Sequence, residues 1–209
     1  MGALMSADAS SVIAWGVSAR SIPGETVSGD LHVVVTFPER ALVGVIDGLG
    51  HGADAAAAAR IAAHTIAAHA HDSVVPILTQ CHEALRGTRG VVLSLAAFDG
   101  TDGTMTWLGV GNVEGVLFRA DKTVVPAREG LLSRGGVVGY QLPPLRPVTI
   151  PIGLGDMLVL ATDGIRSQFA EESPIGFDPE AAAQDIHAHY GKQTDDALVL
   201  VARYEGLPS

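Results

Sequence analysis

Residues 41–59 read ALVGVIDGLGHGADAAAAA, an apolar run that passes through Asp47 and a glycine-rich turn into an alanine-rich segment. The run 41–46 predicts a buried strand, and 51–71 predicts a helix because alanine is the strongest helix former. Small alanine side chains would let this helix lie close to the layer that it covers. Asp47 stands at the junction of the two elements, where a carboxylate needs a specific explanation.

The composition is typical of one globular domain. The chain has 209 residues, of which 47% are hydrophobic and 17% charged, and we predict a single domain over 1–209 with its core at about 8–204. The formal net charge of −10 argues against nucleic acid as a partner. A single cysteine, Cys81, excludes an internal disulfide. The absence of a long apolar run argues against a membrane span, and a cytoplasmic location is expected.

Predicted strands dominate the rest of the chain and do not alternate with helices. Strands are predicted over 11–18, 31–37, 41–46, 91–98, 104–110, 113–119, 122–126, 147–150, 156–162 and 197–204, and helices over 51–71, 73–86, 164–170 and 178–190. Parallel βαβ units would give a regular alternation of strands and helices. The observed order instead favours an α+β fold, with sheets packed on each other and helices on the outer faces.

Two acids flank the first predicted hairpin. Asp30 opens the strand 31–37 and Asp47 closes the strand 41–46, with only the short loop PER between the strands. If Phe37 faces Ala41, Asp30 lies opposite Gly48 and close to Asp47. Like charges at that distance raise a pKa unless a cation neutralises them.

The same pattern occurs near the end of the chain. Asp163 comes two residues after the apolar run MLVLA, and Asp195 precedes the strand 197–204. Antiparallel pairing would bring both acids to one end of a sheet. Four carboxylates at strand ends are typical oxygen ligands of hard divalent cations, although aspartate is also common in ordinary turns.

The glycines of GLGHGA, 48–53, also match the dinucleotide-binding pattern G-x-G-x-x-A. Three features argue against this alternative, a dinucleotide-binding oxidoreductase. Asp47 would place a negative charge beside the pyrophosphate. Asp72, at the spacing expected for the ribose ligand, follows a helix instead of a second strand. The elements downstream are mostly strands.

Four motifs together resemble a known family. SGD (28–30), VIDGLGHG (45–52), GDMLVLATDGI (155–165) and TDDALVLVARY (194–204) occur in the order expected of the PPM phosphatases. These are the metal-dependent serine/threonine phosphatases of type 2C, with a bacterial SpoIIE-like branch. GVGNVEGVLF, 109–118, is similar to the family's central strand pair. The compact chain resembles the stressosome phosphatases of the RsbX type.

The resemblance implies a four-layer αββα fold, a central antiparallel β-sandwich flanked by helices, and two bound Mn²⁺ or Mg²⁺ ions. Asp47 would bridge the ions and the Gly48 carbonyl would complete one coordination shell. Asp30 would bind the second ion, whereas Asp163 and Asp195 would hold the first. Asp47 and Asp163 would then act in catalysis through a metal-bound water. Asp196 would support these ligands instead of binding metal.

The resemblance also implies a substrate class. The chain would hydrolyse phosphoserine or phosphothreonine, and its partners would be phosphorylated STAS-domain proteins of a bacterial stress or sigma-factor pathway. His51 is the candidate proton donor, because Leu49 stands where many type 2C enzymes have histidine. Arginines that could bind phosphate are Arg60, Arg134 and Arg166. The alternative within this resemblance is a pseudophosphatase that binds such a partner without turnover.

Overall fold

The computed structural model describes residues 11–207, so the predicted start of the core at residue 8 lies outside the described residues. Within them the chain forms ten strands, three α-helices and one short 3-10 helix. The strands are β1 (Ile13–Arg20), β2 (Asp30–Thr36), β3 (Arg40–Gly48), β4 (Val91–Asp99), β5 (Thr104–Val110), β6 (Glu114–Phe118), β7 (Arg128–Gly130), β8 (Val148–Pro151), β9 (Met157–Ala161) and β10 (Ala197–Tyr204). The helices are α1 (Ala53–Ala68), α2 (Val74–Ala84) and α3 (Pro179–Tyr190), with the 3-10 helix at Ser167–Glu171.

The strands form two five-stranded sheets with every neighbouring pair antiparallel. One sheet has the order β1-β10-β9-β6-β7 and the other β2-β3-β4-β5-β8. The antiparallel pairing confirms the α+β prediction. It also excludes the doubly wound parallel sheet that the dinucleotide-binding alternative requires.

The sandwich is held by strands that are buried on both faces. Val43 and Val45 of β3 pack into the apolar layer between the sheets, together with Leu200 of β10. Leu42 and Ile46 of the same strand point to the other face, where α1 and α2 cover the sheet. Side chains alternate across a strand, so a strand buried on both faces reads as a continuous apolar run.

The helices complete the outer layers, which confirms the predicted four-layer order. Ala58, Ala59 and Ala62 of α1 are buried against the sheet that contains β3 and β4. Their small side chains allow the close approach expected from the sequence. On the opposite face, α3 packs Ala183 and Ile186 against the sheet that contains β9 and β10. Among residues 11–207, no helix combines the length and the apolar character needed to cross a membrane.

The predicted strand 122–126 is wrong. These residues form turns, and the strand in this region is β7, two residues further along. The Asp121 carboxylate accepts hydrogen bonds from the backbone N–H and the hydroxyl of Thr123, at 2.8 and 2.7 Å. Such local side-chain bonds compete with strand pairing, and Pro126 has no N–H to donate.

The predicted register of the first hairpin is wrong by one residue. Backbone hydrogen bonds join Phe37 and Arg40, so the turn contains only Pro38 and Glu39. Thr36 therefore faces Ala41. The slip moves every pair of the hairpin by one position, and it changes which residue lies opposite Asp30.

Candidate metal centre

A cleft opens at the end of the sandwich where β3 and β9 terminate and β10 begins. Its volume is about 390 Å³, and its lining residues are Ile22, Asp47, Leu49, Gly50, His51, Val92, Asn112, Val137, Asp163, Thr194 and Asp195. Three of the four acids predicted as metal ligands thus line one cleft, although they are contributed by both sheets. The fourth, Asp30, is not among the lining residues and lies opposite Asp47 on the neighbouring strand.

Asp30 and Asp47 face each other across β2 and β3. Backbone hydrogen bonds join Phe37 to Arg40 at the turn and Gly29 to Gly48 at the other end of the hairpin. Hydrogen-bonded and non-hydrogen-bonded pairs alternate between these two ends. Asp30–Asp47 falls between hydrogen-bonded pairs, and side chains in this kind of pair lie closest together. The predicted proximity of the two carboxylates is therefore present, and the corrected register makes it direct.

The environment of this pair penalises its negative charge. Burial, followed by the charge of Asp47, raises the pKa of Asp30 to about 8, although a 2.7 Å hydrogen bond from the Thr162 hydroxyl acts in the opposite direction. Burial, followed by the charges of Asp163 and Asp195, raises the pKa of Asp47 to about 7. The charges that act on both groups are other carboxylates, so a cation placed among them would relieve the repulsion.

Asp163 and Asp195 are fixed by contacts between the end of β9 and the start of β10. Gly164 permits this approach, because a Cβ at that position would lie 1.8 Å from the carbonyl oxygen of Asp196. The Asp163 carboxylate accepts a 2.8 Å hydrogen bond from the side-chain amide of Asn112. The Lys192 ammonium donates to the backbone carbonyl of Asp163.

Asp196 has a different environment from its neighbours. It is buried, and its two carboxylate oxygens accept from the backbone N–H groups of Ile22 and Gly29 at 2.8 and 2.7 Å. These bonds attach the irregular segment 21–29, which leads directly into Asp30, to the end of β10. Because both oxygens are already engaged, Asp196 holds the site together and is poorly placed to bind metal.

Gly48 lies where helix α1 meets strand β3. A Cβ at this position would come within 2.3 Å of the Ala55 carbonyl oxygen, so the glycine is required by the packing of the helix. Its backbone therefore lies between Asp47 and the first turn of α1. The carbonyl assigned to a metal by the resemblance belongs to this tightly packed segment.

His51 lies at the rim of the cleft with most of its side chain exposed. Its Nδ1 is 3.0 Å from Oε1 of Glu25. A carboxylate only accepts hydrogen bonds, so Nδ1 is the protonated ring nitrogen in this contact. Sequence reasoning missed Glu25, because it lies in an irregular segment with no motif around it.

The glycine turn is contacted by an arginine that was not predicted, Arg89. A guanidinium nitrogen of Arg89 lies 3.0 Å from the position that a Cβ on Gly50 would take, and Arg89 pairs with Asp54 at 3.0 Å. By contrast, Arg166 donates to the His189 carbonyl at the end of α3. Asn112 was also missed, although its place in GVGNVEGVLF, directly after β5, offered a signal.

The carboxylates suit a divalent cation chemically but are not arranged as finished coordination shells. Across residues 11–207, no three His, Cys, Asp or Glu side chains converge as a ready set of metal ligands. Asp30 and Asp163 are turned toward Thr162 and Asn112, as expected of like charges that separate. These two bonds use one oxygen of each carboxylate and leave the other for a cation. Closely spaced carboxylates that repel one another fit Mn²⁺ or Mg²⁺, and binding would require small movements that bring the remaining oxygens together.

Comparison with known proteins gave consistent matches. The family model described as stage II sporulation protein E (SpoIIE) matches residues 38–205. A chain solved in work on "the bacterial stressosome: a modular system that has been adapted to control secondary messenger signaling" is 29% identical, with a TM-score of 0.82 over 91% of this chain and 99% of that one. Among curated proteins, no sequence matches significantly.

Two further solved structures share the fold at lower identity. RsbX in complex with magnesium is 19% identical, with a TM-score of 0.82 over 96% of this chain and 98% of that one. A Bacillus subtilis structure of the SpoIIE PP2C phosphatase domain with a fragment of its regulatory domain is 18% identical, with a TM-score of 0.74 over 96% and 65% of the two chains.

Proposed function

Because this chain belongs to the SpoIIE family of PPM phosphatases, we propose that its cleft binds two Mn²⁺ or Mg²⁺ ions and hydrolyses phosphoserine and phosphothreonine in proteins. The observation that carries the proposal is the facing pair Asp30–Asp47 beside Asp163 and Asp195. When bound, two such ions supply an activated water and neutralise charge on the phosphoryl oxygens.

The position of Asp47 suits the ligand shared by both ions. It faces Asp30 within its own sheet, and it lines the cleft with Asp163 and Asp195 of the other sheet. Asp163 and Asp195 would hold one ion, Asp30 would hold the other, and the Gly48 carbonyl would complete a shell. Four carboxylates and two divalent cations sum to zero charge, so loading removes the repulsion within the cluster.

His51 is assigned the proton transfer to the leaving group. The bond to Glu25 keeps Nδ1 protonated, so Nε2 is the nitrogen that would release a proton from the imidazolium form and leave the neutral ring. Water is the proposed nucleophile. The single cysteine, Cys81, is unsuited to that role, because it is buried and that burial raises its pKa to about 12.

The proposed substrates are phosphorylated STAS-domain proteins of a bacterial stress or sigma-factor pathway. Support comes from the similarity to a stressosome-related structure at 29% identity and from the fold shared with RsbX. A pseudophosphatase would use the same surface without turnover. The retention of Asp30, Asp47, Asp163 and Asp195 favours the enzyme.

Phosphate release from a phosphoserine peptide in the presence of Mn²⁺ tests the proposal. We expect turnover that EDTA abolishes and excess Mn²⁺ restores. Asp47→Asn and Asp163→Asn should each lose nearly all activity while their circular dichroism stays unchanged. Asp121→Asn, at the opposite end of the sandwich, is the control that should remain active. Full activity of either cleft variant would overturn the assignment.

A further inference from the structure

The segment that follows β7 presents large apolar side chains to solvent on either side of a residue that lines the cleft. The segment 131–141, which follows β7, contains Leu132 and Tyr140, which are 88% and 82% exposed. Val137, between them, lines the cleft itself. Single exposed apolar residues are ordinary, but two of them on a segment that itself lines a cleft mark a place where a partner can bind.

The backbone that carries Tyr140 is held rigidly. Val137 and Gln141 exchange two backbone hydrogen bonds, of 2.9 and 2.8 Å, which close a tight turn around the tyrosine. Val138, within this turn, is completely buried and exchanges two backbone bonds with Val91 of β4. The turn is thus anchored in the core while its aromatic side chain projects outward.

Leu132 is fixed in the same way. Its neighbour Leu131 packs against the apolar core, and the Ser133 hydroxyl donates to the Gly111 carbonyl at 2.6 Å. The backbone of Arg134 bonds to the same loop, directly before Asn112. Because little conformational freedom remains to be lost, contacts made by Leu132 and Tyr140 would contribute efficiently to binding.

The charge of this wall differs from that of the rest of the molecule. Residues 131–147 contain Arg134 and Arg146 but no aspartate or glutamate, in a chain of net charge −10. A partner that offers carboxylates beside apolar side chains is complementary to it. The two arginines would attract such carboxylates to the wall.

We propose that a docking wall formed by Leu132, Arg134, Val137 and Tyr140 binds the polypeptide on which the phosphorylated residue lies, through apolar and acidic side chains close to that residue. This inference rests on the proposed function, since it names the part of the substrate that lies outside the phosphoryl group. The docking wall sets which phosphoprotein is dephosphorylated.

Two synthetic phosphoserine peptides of equal length provide the test, one with leucine and aspartate at the flanking positions and one with serine and lysine. The small substrate p-nitrophenyl phosphate does not extend to the wall. Leu132→Ser/Tyr140→Ser removes both apolar anchors. The matched control is Val125→Ser/Leu154→Ser, because these side chains are 90% and 71% exposed on loops at the opposite end of the sandwich.

For the wall variant, kcat/KM for the leucine–aspartate peptide should fall by about tenfold or more, in line with the loss of an interface anchor. Its hydrolysis of p-nitrophenyl phosphate should change less than about twofold, within the range of ordinary surface substitutions. The control variant should change neither quantity. Equal kcat/KM of the wild type for the two peptides, or equal loss with all substrates, would overturn the proposal.

Binding separates this inference from the proposed activity. The affinity of a fluorescent leucine–aspartate peptide is measured by anisotropy in an Asp163→Asn background, because this variant should bind the peptide without hydrolysing it. If the otherwise unchanged protein releases no phosphate with Mn²⁺, while the wall variant alone binds the peptide more weakly in the Asp163→Asn background, the phosphatase would be overturned and the wall supported. Equal peptide binding by both variants, with a change of oligomeric state in the wall variant, would assign the surface to a second copy and overturn the proposal.

Discussion

Asp30 and Asp47 are directly opposed on adjacent strands at the end of a buried sheet, and the charges that surround them are other carboxylates. Such a pair costs folding free energy in the absence of a cation. The proposed metal binding would therefore raise stability as well as support catalysis.

Asp30→Asn should stabilise the metal-free protein, because it removes one charge from the repelling pair and the amide oxygen can still accept from Thr162. We expect Tm in EDTA at pH 8 to rise by roughly 4–8 °C, which corresponds to about 2 kcal/mol for a chain of this size. The further rise in Tm on adding Mn²⁺ should be smaller than in the wild type, because only the ion assigned to Asp163 and Asp195 keeps its full set of carboxylates. Asp102→Asn, on an exposed far-end loop, is the control, and a lower Tm for Asp30→Asn would contradict the expectation.

The stability of the metal-free protein should decrease as pH rises from about 4 to about 8. Asp30 and Asp47 have pKa values of about 8 and about 7 in the folded state, above the ordinary value of 3.8, so the folded state binds more protons across this range. Urea unfolding in EDTA at pH 5, 6.5 and 8 measures the trend. Saturating Mn²⁺ should flatten it, and stability that increases with pH in EDTA would be the opposite result.

Gly164→Ala should destabilise the protein severely, by at least about 3 kcal/mol, because its Cβ would overlap the Asp196 carbonyl and separate the ends of β9 and β10. Gly130→Ala is the matched control, since a Cβ at that position meets no atom within 4 Å. Denaturant unfolding of the two variants provides the comparison. Similar unfolding midpoints would show that this contact is not required.

Asn112→Ala should weaken Mn²⁺ binding by about tenfold, because side chains that orient a metal ligand commonly contribute this much. The amide of Asn112 holds the Asp163 carboxylate. Thr123→Ala removes a comparable bond to Asp121, far from the cleft, and should leave the affinity unchanged. Isothermal titration of both variants tests the role, and equal affinities would remove Asn112 from the site.

Much of the fold could be predicted because apolar runs and turn residues mark the strands clearly. The strands 104–110 and 197–204 have the predicted bounds. The register of β2 and β3 could not be predicted, because it depends on whether Arg40 belongs to the turn or pairs with Phe37. A single backbone contact decides that question, and residue composition does not reveal it.

The acids could be found from sequence because each stands at the end of an apolar strand, and the ordered motifs added the family. Glu25 and Arg89 could not be found in this way. Glu25 reaches His51 only because Asp196 holds the segment 21–29 against β10. Arg89 reaches the glycine turn because the Leu49 N–H donates to the Gly90 carbonyl. Such long-range backbone contacts have no local sequence signature.

Isothermal titration of Mn²⁺ into the wild type and Asp47→Asn tests the central claim most directly, because it counts ions without requiring a substrate. We expect two ions per wild-type chain and the loss of at least one of them in Asp47→Asn, with the variant still folded. No Mn²⁺ binding by the wild type, or the same stoichiometry and affinity in both proteins, would contradict a shared two-metal site at Asp47.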